Sequence, residues 1–223
     1  MKSLAHIPFI FKRSRKRKTL GMKIMNGEVI VSYPAHASRA ELDKWVASQE
    51  QWILKHYKKP APMQAFKPSD IFYWMGQKIV MQDILDPSHG LALPSYLFEL
   101  PVDEQTYFLL DACALAAEKD LPPRVFHFQE KLGLYACSVK LRAYKSRWGS
   151  CSSKGELTLN TLLMMAPDWV RDYVVVHELC HLKHLNHSAQ FWAEVGRIFD
   201  RVEVRNAKNW LKQRTQQMQH IYR

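Results

Sequence analysis

The 223-residue sequence predicts a mixed protein of helices and short strands. Three observations carry that reading. Short stretches rich in β-branched and aromatic residues alternate apolar with polar positions around glycine-containing turns, the period of a half-buried strand. Between them lie longer segments whose apolar residues recur every three or four positions, the period of a helix. One such segment ends in HELCHLKHLNH and is apolar on several sides while carrying ionisable residues. A helix of that kind belongs inside a protein.

Hydrophobic content of 47% and charged content of 24% fit a globular chain long enough to bury a core, and they exclude disorder as the main state. The net charge of +11 and pI near 9.5 favour polyanions or acidic substrates as partners. FKRSRKRK packs six cations into Lys12–Lys18, and a second basic group comprises Lys140, Arg142, Lys145 and Arg147. Both runs are read either as solubilising surface or as a polyanion site, nucleic acid being one such partner and a triphosphate another for the second run. The apolar stretch LAHIPFIF is short and precedes the charges, the reverse of a secretory signal. No apolar run approaches the ~18 residues of a membrane span. Cys113, Cys137, Cys151 and Cys180 form no C-x-x-C pair, which points to reduced thiols and a cytoplasmic protein.

Taken in order, TLGMKIMNGEVIVSYP reads as a hairpin about its NG turn. SRAELDKWVASQEQWILKHYKK reads as one helix capped by Ser38, with Leu42, Trp45, Val46, Ile53 and Leu54 near helical spacing, and PAPMQAFKPSD ends it. IFYWMGQKIVMQDIL reads as a strand pair about Gly76. Residues 87–101 have no clear period and are read as a linker, which divides the chain into residues 1–100 and 101–223. EQTYFLLDACALAAEKD and PPRVFHFQEKLG read as two helices, the second opened by prolines and closed by Gly133. YACSVKLRAY and GELTLNTLLMM read as strands joined by KSRWGSCSSK. A further helix begins at Pro167, with Asp168 and Asp172 near the positive end of its dipole.

In that helix His177 and His181 are four residues apart and so share one face, their Cβ atoms about 5–6 Å apart. Two imidazoles so placed can reach one zinc ion at about 2.0–2.1 Å, and Glu178 between them can serve as the base that takes a proton from zinc-activated water. A catalytic zinc usually takes a third protein ligand. On a continuous helix His184 would stand about 10.5 Å along the axis from His177, too far to share an ion with it. His187 reaches the site only if the helix stops and the chain turns back, for which a left-handed Asn186 is the expected device. The spacing of His181 and His187 matches a longer zinc-peptidase pattern, with His184 where that pattern has a turning glycine. Cys180 projects away from the histidines and is read as a small core residue.

RWGSCSSKGELTLN followed by VVHELCHLKHLNHSAQFW resembles the YgjP-like metallopeptidase domain, related to the SprT and WLM zincins. The resemblance is specific over Lys140 to Trp192 and extends weakly over most of the chain. It implies an α+β, zincin-like catalytic core in residues 101–223, with residues 1–100 as the N-terminal strand and helix part of the family domain. By position it implies zinc ligands His177, His181 and His187 and a catalytic Glu178. It also implies a strand beside the motif helix that binds extended substrate, for which GELTLN is the candidate against an ordinary interior strand. Arg147 and Trp148 lie in the family's most recognisable loop. Arg147 is a candidate for an anionic group of the substrate, and Trp148 either contacts substrate or packs the core.

Three functions follow from this. The first is a zinc metallopeptidase acting on peptides. The second is a nucleoside triphosphate pyrophosphatase, since some members of the family are described as UTP pyrophosphatase-like. The third is a nucleic-acid-associated protein with structural zinc.

Overall fold

Alternating apolar residues make the first strands. The structure is a computed structural model that describes residues 4–25, 27–57 and 64–221. It divides into two compact units, residues 1–62 and 63–223. In the first, β1 (Phe9–Ser14), β2 (Gly21–Met25) and β3 (Glu28–Pro34) form a sheet of order β1-β3-β2. The expected hairpin is the antiparallel β2–β3 pair; Asn26 of its turn lies outside the described residues. β1 was not anticipated. It pairs in parallel with β3, a contact between segments some twenty residues apart that no local pattern announces.

The helix expected from Ser38 is divided at Gln49 into α1 (Arg39–Ser48) and α2 (Glu50–His56). Ser38 accepts from the Glu41 backbone while the Glu41 carboxylate accepts from the Ser38 N–H, a capping box that fixes the start of α1. Leu4, Ile7, Val29, Val31, Val46 and Ile53 are the buried core of this unit. The expected end of the helix at Lys58 and Lys59 lies outside the described residues.

The second unit begins well before residue 100, which corrects the expected boundary. β4 (Ile71–Trp74) and β5 (Gln77–Val80) form a hairpin, and Phe72 and Trp74 are buried in the same core as the later helices. Its turn, Met75–Gly76, has positive φ at both residues and donates N–H bonds to the carbonyls of Met164 and Met165. The linker 87–101 contains two single 3-10 turns, Pro87–His89 and Leu97–Glu99.

The two helices expected between residues 104 and 133 are one, α3 (Val102–Leu132), which runs through Pro122 and Pro123 and ends on left-handed Gly133. Two prolines remove two backbone donors and cost the helix about 3 kcal/mol or more each. Burial of Leu121, Val125 and Phe128 on the same helix favours continuity.

β6 (Ser138–Arg142), β8 (Glu156–Asn160) and an unexpected short β7 (Gly149–Cys151) form a sheet of order β6-β8-β7, β6 parallel and β7 antiparallel to β8. GELTLN is thus a central strand with neighbours on both edges, not an edge open to substrate. The expected continuation through TLLMM is instead a buried 3-10 turn, Thr161–Met165, because Asn160 caps it through Leu162 N–H and so ends the strand. α4 (Asp168–Cys180), α5 (Ala189–Val195) and α6 (Arg201–His220) complete the chain. No helix among the described residues is long and apolar enough to cross a membrane.

Candidate metal centre

α4 carries the site and is buried along most of its length. Val170, Val174, Val175, Val176, Leu179 and Cys180 are each 3% exposed or less. Pro167 occupies the N-cap rather than the first helical position. Around that end, Arg124 pairs with Asp120, Asp168 and Asp172, and Arg171 pairs with Asp120 and Asp168.

At the other end α4 stops at Cys180, with His181 as its C-cap, so the helix does not continue to His184. The return of the chain is not made by Asn186, because Met75 is the one non-glycine residue with positive φ among the described residues. It is made by a turn over residues 181–183 and by Ser188, which accepts from Phe191 N–H and starts α5 one residue after His187. Lys183 donates to Glu194 at 2.9 Å and Arg197 also pairs with Glu194, tying the turn to α5.

This return brings His177, His181 and His187 together, their nearest ligand nitrogens all within 4.8 Å of one another. His177 Nε2 and His187 Nε2 are 3.0 Å apart. Two nitrogens bound to one zinc at about 2.0–2.1 Å with a tetrahedral angle would stand about 3.4 Å apart, so the spacing fits such an ion. His181 Nδ1 lies 2.9 Å from the His184 carbonyl, which can only accept, so Nδ1 donates there and Nε2 is the ring nitrogen left to meet a metal. His184 thus contributes its carbonyl rather than its ring. The Phe191 ring lies 4.9, 4.6 and 4.7 Å from His177, His181 and His187, a shared apolar floor. Burial, then the neighbouring His181, His187 and Lys208, pulls the His177 pKa down to about 3, which keeps it in the neutral, ligating form. Burial lowers His187 as well, with His181 and Lys208 adding to it.

Glu178 is 8% exposed, and its carboxylate has no hydrogen-bond partner among the described residues. Burial pushes its pKa up to about 7, and the positive charge of Arg147 works against this. β7 crosses it closely. A Cβ on Gly149 would stand 2.7 Å from Glu178 Cγ and 2.8 Å from its Oε1. Only glycine leaves the carboxylate where it is.

Arg147 is exposed and acts on Glu178 through its charge, while its guanidinium lies over Tyr144. Trp148 turns toward α6, its ring 6.3 Å from Trp210 and its indole N–H donating to Thr215 Oγ1 at 3.3 Å. Other residues of the site escaped the sequence reading. Gly149 sits in the quoted RWGSC loop but reveals itself only once β7 is seen against α4. Ser188 before AQF carries a helix-start signal. Lys208 on α6 stands 3.7 Å from the Trp192 ring, and Trp192 lies beside His187. Tyr173, one turn before His177 and 3.4 Å from its Nδ1, also lines a pocket of about 190 Å³ with Trp169, Phe199, Glu203 and Asn206.

Three imidazole donors converge there in a group that could hold a metal ion, and the buried Glu178 adjoins them in the chain. The chain belongs to the YgjP-like family, whose metallopeptidase domain matches residues 18–214. It carries a metallopeptidase domain, and that family implies a hydrolase with a metal ion. Two solved structures are similar to part of it. One is the metallopeptidase zymogen of Pyrococcus abyssi abylysin, 26% identical over 43% of this chain and 95% of that one, with a TM-score of 0.40. The other is the metallopeptidase zymogen of Methanocaldococcus jannaschii jannalysin, 22% identical over 43% of this chain and 96% of that one, also at 0.40. At that score the likeness adds nothing to the assignment, which rests on the family match. No curated protein matches the chain.

Proposed function

We propose that the protein is a zinc-dependent peptidase with a zincin-like core, in which His177, His181 and His187 hold the metal and Glu178 is the general base and acid. The observation that carries this reading is the convergence of the three imidazoles next to a buried carboxylate that has no hydrogen-bond partner among the described residues. Zinc bound there supplies Lewis acidity, polarising a carbonyl and acidifying water. Glu178 takes the proton from the attacking water and returns it to the leaving amine. A carboxyl held near neutrality by burial suits both steps.

β7 is the edge of its sheet and lies against Glu178, so an extended peptide adds to that edge rather than to β8. Arg147, at the head of β7, meets an acidic group of the substrate. Trp148 orders the loop that carries them, through its contacts with α6. The pocket beside Tyr173 takes an apolar side chain. The four cysteines, none in a disulfide, suit the reducing cytoplasm we propose for it.

Metal analysis and hydrolysis assays on wild type and Glu178→Gln test the reading. About one zinc per chain is expected in both. The variant should lose roughly 10²–10⁴-fold of its peptide hydrolysis. Equal activity in the two proteins, with zinc retained, would remove Glu178 from the chemistry. Glu178-dependent cleavage of nucleoside triphosphates but of no peptide would move the substrate class to phosphoanhydrides.

A further inference from the structure

The excess positive charge is concentrated in the unit without the histidine cluster. Residues 1–62 hold thirteen of the 32 Lys and Arg and four of the 21 Asp and Glu, thirteen against four giving +9 of the chain's +11. The remaining residues are close to neutral, with nineteen cations against seventeen anions. Asp43 pairs with Arg39, and Glu41 accepts from the backbone and hydroxyl of Ser38. Lys12, Arg15, Lys16, Lys18, Lys23 and Lys44 are exposed and form no ion pair among the described residues.

The fold distributes these cations over two faces of the unit. Phe9, Phe11, Met22, Ile24, Val29 and Val31 pack into the core of the unit, so the alternate positions Lys12 and Lys23 lie on the opposite face of the sheet. At the end of the basic run, between the lead into β2 and α1, an open groove of about 630 Å³ is lined by Lys18, His36, Lys44 and Trp45, and by Glu41, whose carboxylate accepts from Ser38. A cationic rim with an aromatic wall is the arrangement that tracks a phosphate backbone while offering unpaired bases a surface to stack on. A duplex keeps its bases stacked on one another and gives Trp45 nothing to meet.

We propose that the first unit binds single-stranded nucleic acid in this groove, with phosphates on Lys18 and Lys44 and bases against Trp45. This does not depend on the hydrolytic reading and would stand if that reading failed.

The test uses the full-length protein and a short fluorescein-labelled single strand of mixed sequence, followed by anisotropy between about 50 and 200 mM salt. Binding should weaken steeply with salt. Lys18→Glu with Lys44→Glu should lower affinity at least about tenfold and make the salt slope shallower by about 1.4, at roughly 0.7 per phosphate contact. Lys78→Glu with Lys119→Glu makes the same change of charge at exposed positions of the second unit and should leave affinity within about twofold. Circular dichroism confirms that both variants fold. Absence of binding at low salt, or equal losses in the two double variants, would overturn the proposal. So would equally tight binding of the matching duplex, which would mean a duplex site, or of phosphatidylserine vesicles, which would mean an anionic membrane surface.

Discussion

Charged and ionisable groups are buried at both ends of α4, and the two ends deal with them differently. At the N-terminal end Arg171 is 3% exposed and Arg124 largely covered, yet each guanidinium faces carboxylates from α3 or α4 itself. Two cations stand against Asp120, Asp168 and Asp172, and Arg171 also donates to the Ala166 carbonyl at 2.9 Å. The chain completes its own neutralisation there. At the C-terminal end His177, His181 and His187 converge with the buried Glu178 next to His177 in the chain, and Lys208 and Arg147 reach them only through their charge. Burial drives His177 toward neutrality and pushes Glu178 up against the opposing charge of Arg147. A polar cluster that is closed upon itself stabilises a fold, whereas one left open invites a ligand.

The sharpest way to break this contrast is to remove a donor from the open end. His187→Ala should lower zinc content by about an order of magnitude or more and abolish hydrolysis, while His184→Ala, which keeps its carbonyl, should retain both. Zinc retained by His187→Ala but lost from His184→Ala would reverse the ligand assignment.

Two glycines sharpen the contrast further, since each lets backbone approach one end of α4. Gly149→Ala would place a Cβ 2.7 Å from Glu178 Cγ, and the carboxylate is the part able to move. A displacement of about 1 Å at a reacting group costs roughly 100-fold, so kcat/KM should fall by about that factor with zinc content and thermal midpoint little changed. Gly76 has φ +82, and a Cβ there would lie 2.7 Å from the Pro167 Cα, which is backbone and cannot yield as a side chain can. Gly76→Ala should therefore cost about 2 kcal/mol of stability, read from denaturant unfolding, with activity per folded molecule retained. If Gly149→Ala unfolds the protein while Gly76→Ala inactivates it, the two ends have been assigned the wrong way round.

What the sequence disclosed follows from the range of the interactions involved. The spacing of His177 and His181 on one face, the cap at Ser38 and the C-terminal Gly133 are local, and each was legible. The pairing of β1 with β3, the position of β8 between two neighbours and the approach of Gly149 to Glu178 join segments distant in sequence, and no local period records them. Asn186 misled because a residue able to adopt a left-handed turn need not do so when Ser188 can start the next helix instead. Pro122 and Pro123 misled for the opposite reason, their local cost being outweighed by burial of the residues around them. His187 lay between these cases. Its distance from His181 was visible, but the Lys183–Glu194 contact that holds the turn was not.

The smallest effect concerns pH at the closed end. Burial alone would raise the pKa of Asp168, but the guanidiniums of Arg171 and then Arg124 outweigh it and hold the carboxyl below its usual range. A depressed folded pKa means that the carboxylate stabilises the fold above its unfolded value, about 3.9, and that this contribution fades as pH falls through the folded value. With its side chain 72% exposed, solvent screening limits the contribution to less than about 1 kcal/mol. Asp168→Asn should accordingly be slightly less stable than wild type at neutral pH, and the difference should close below about pH 4. A gap that widened on acidification would mean that the protonated acid, not the carboxylate, is the favourable form, and that the arginines at this end are neutralised by Asp120 and Asp172 alone.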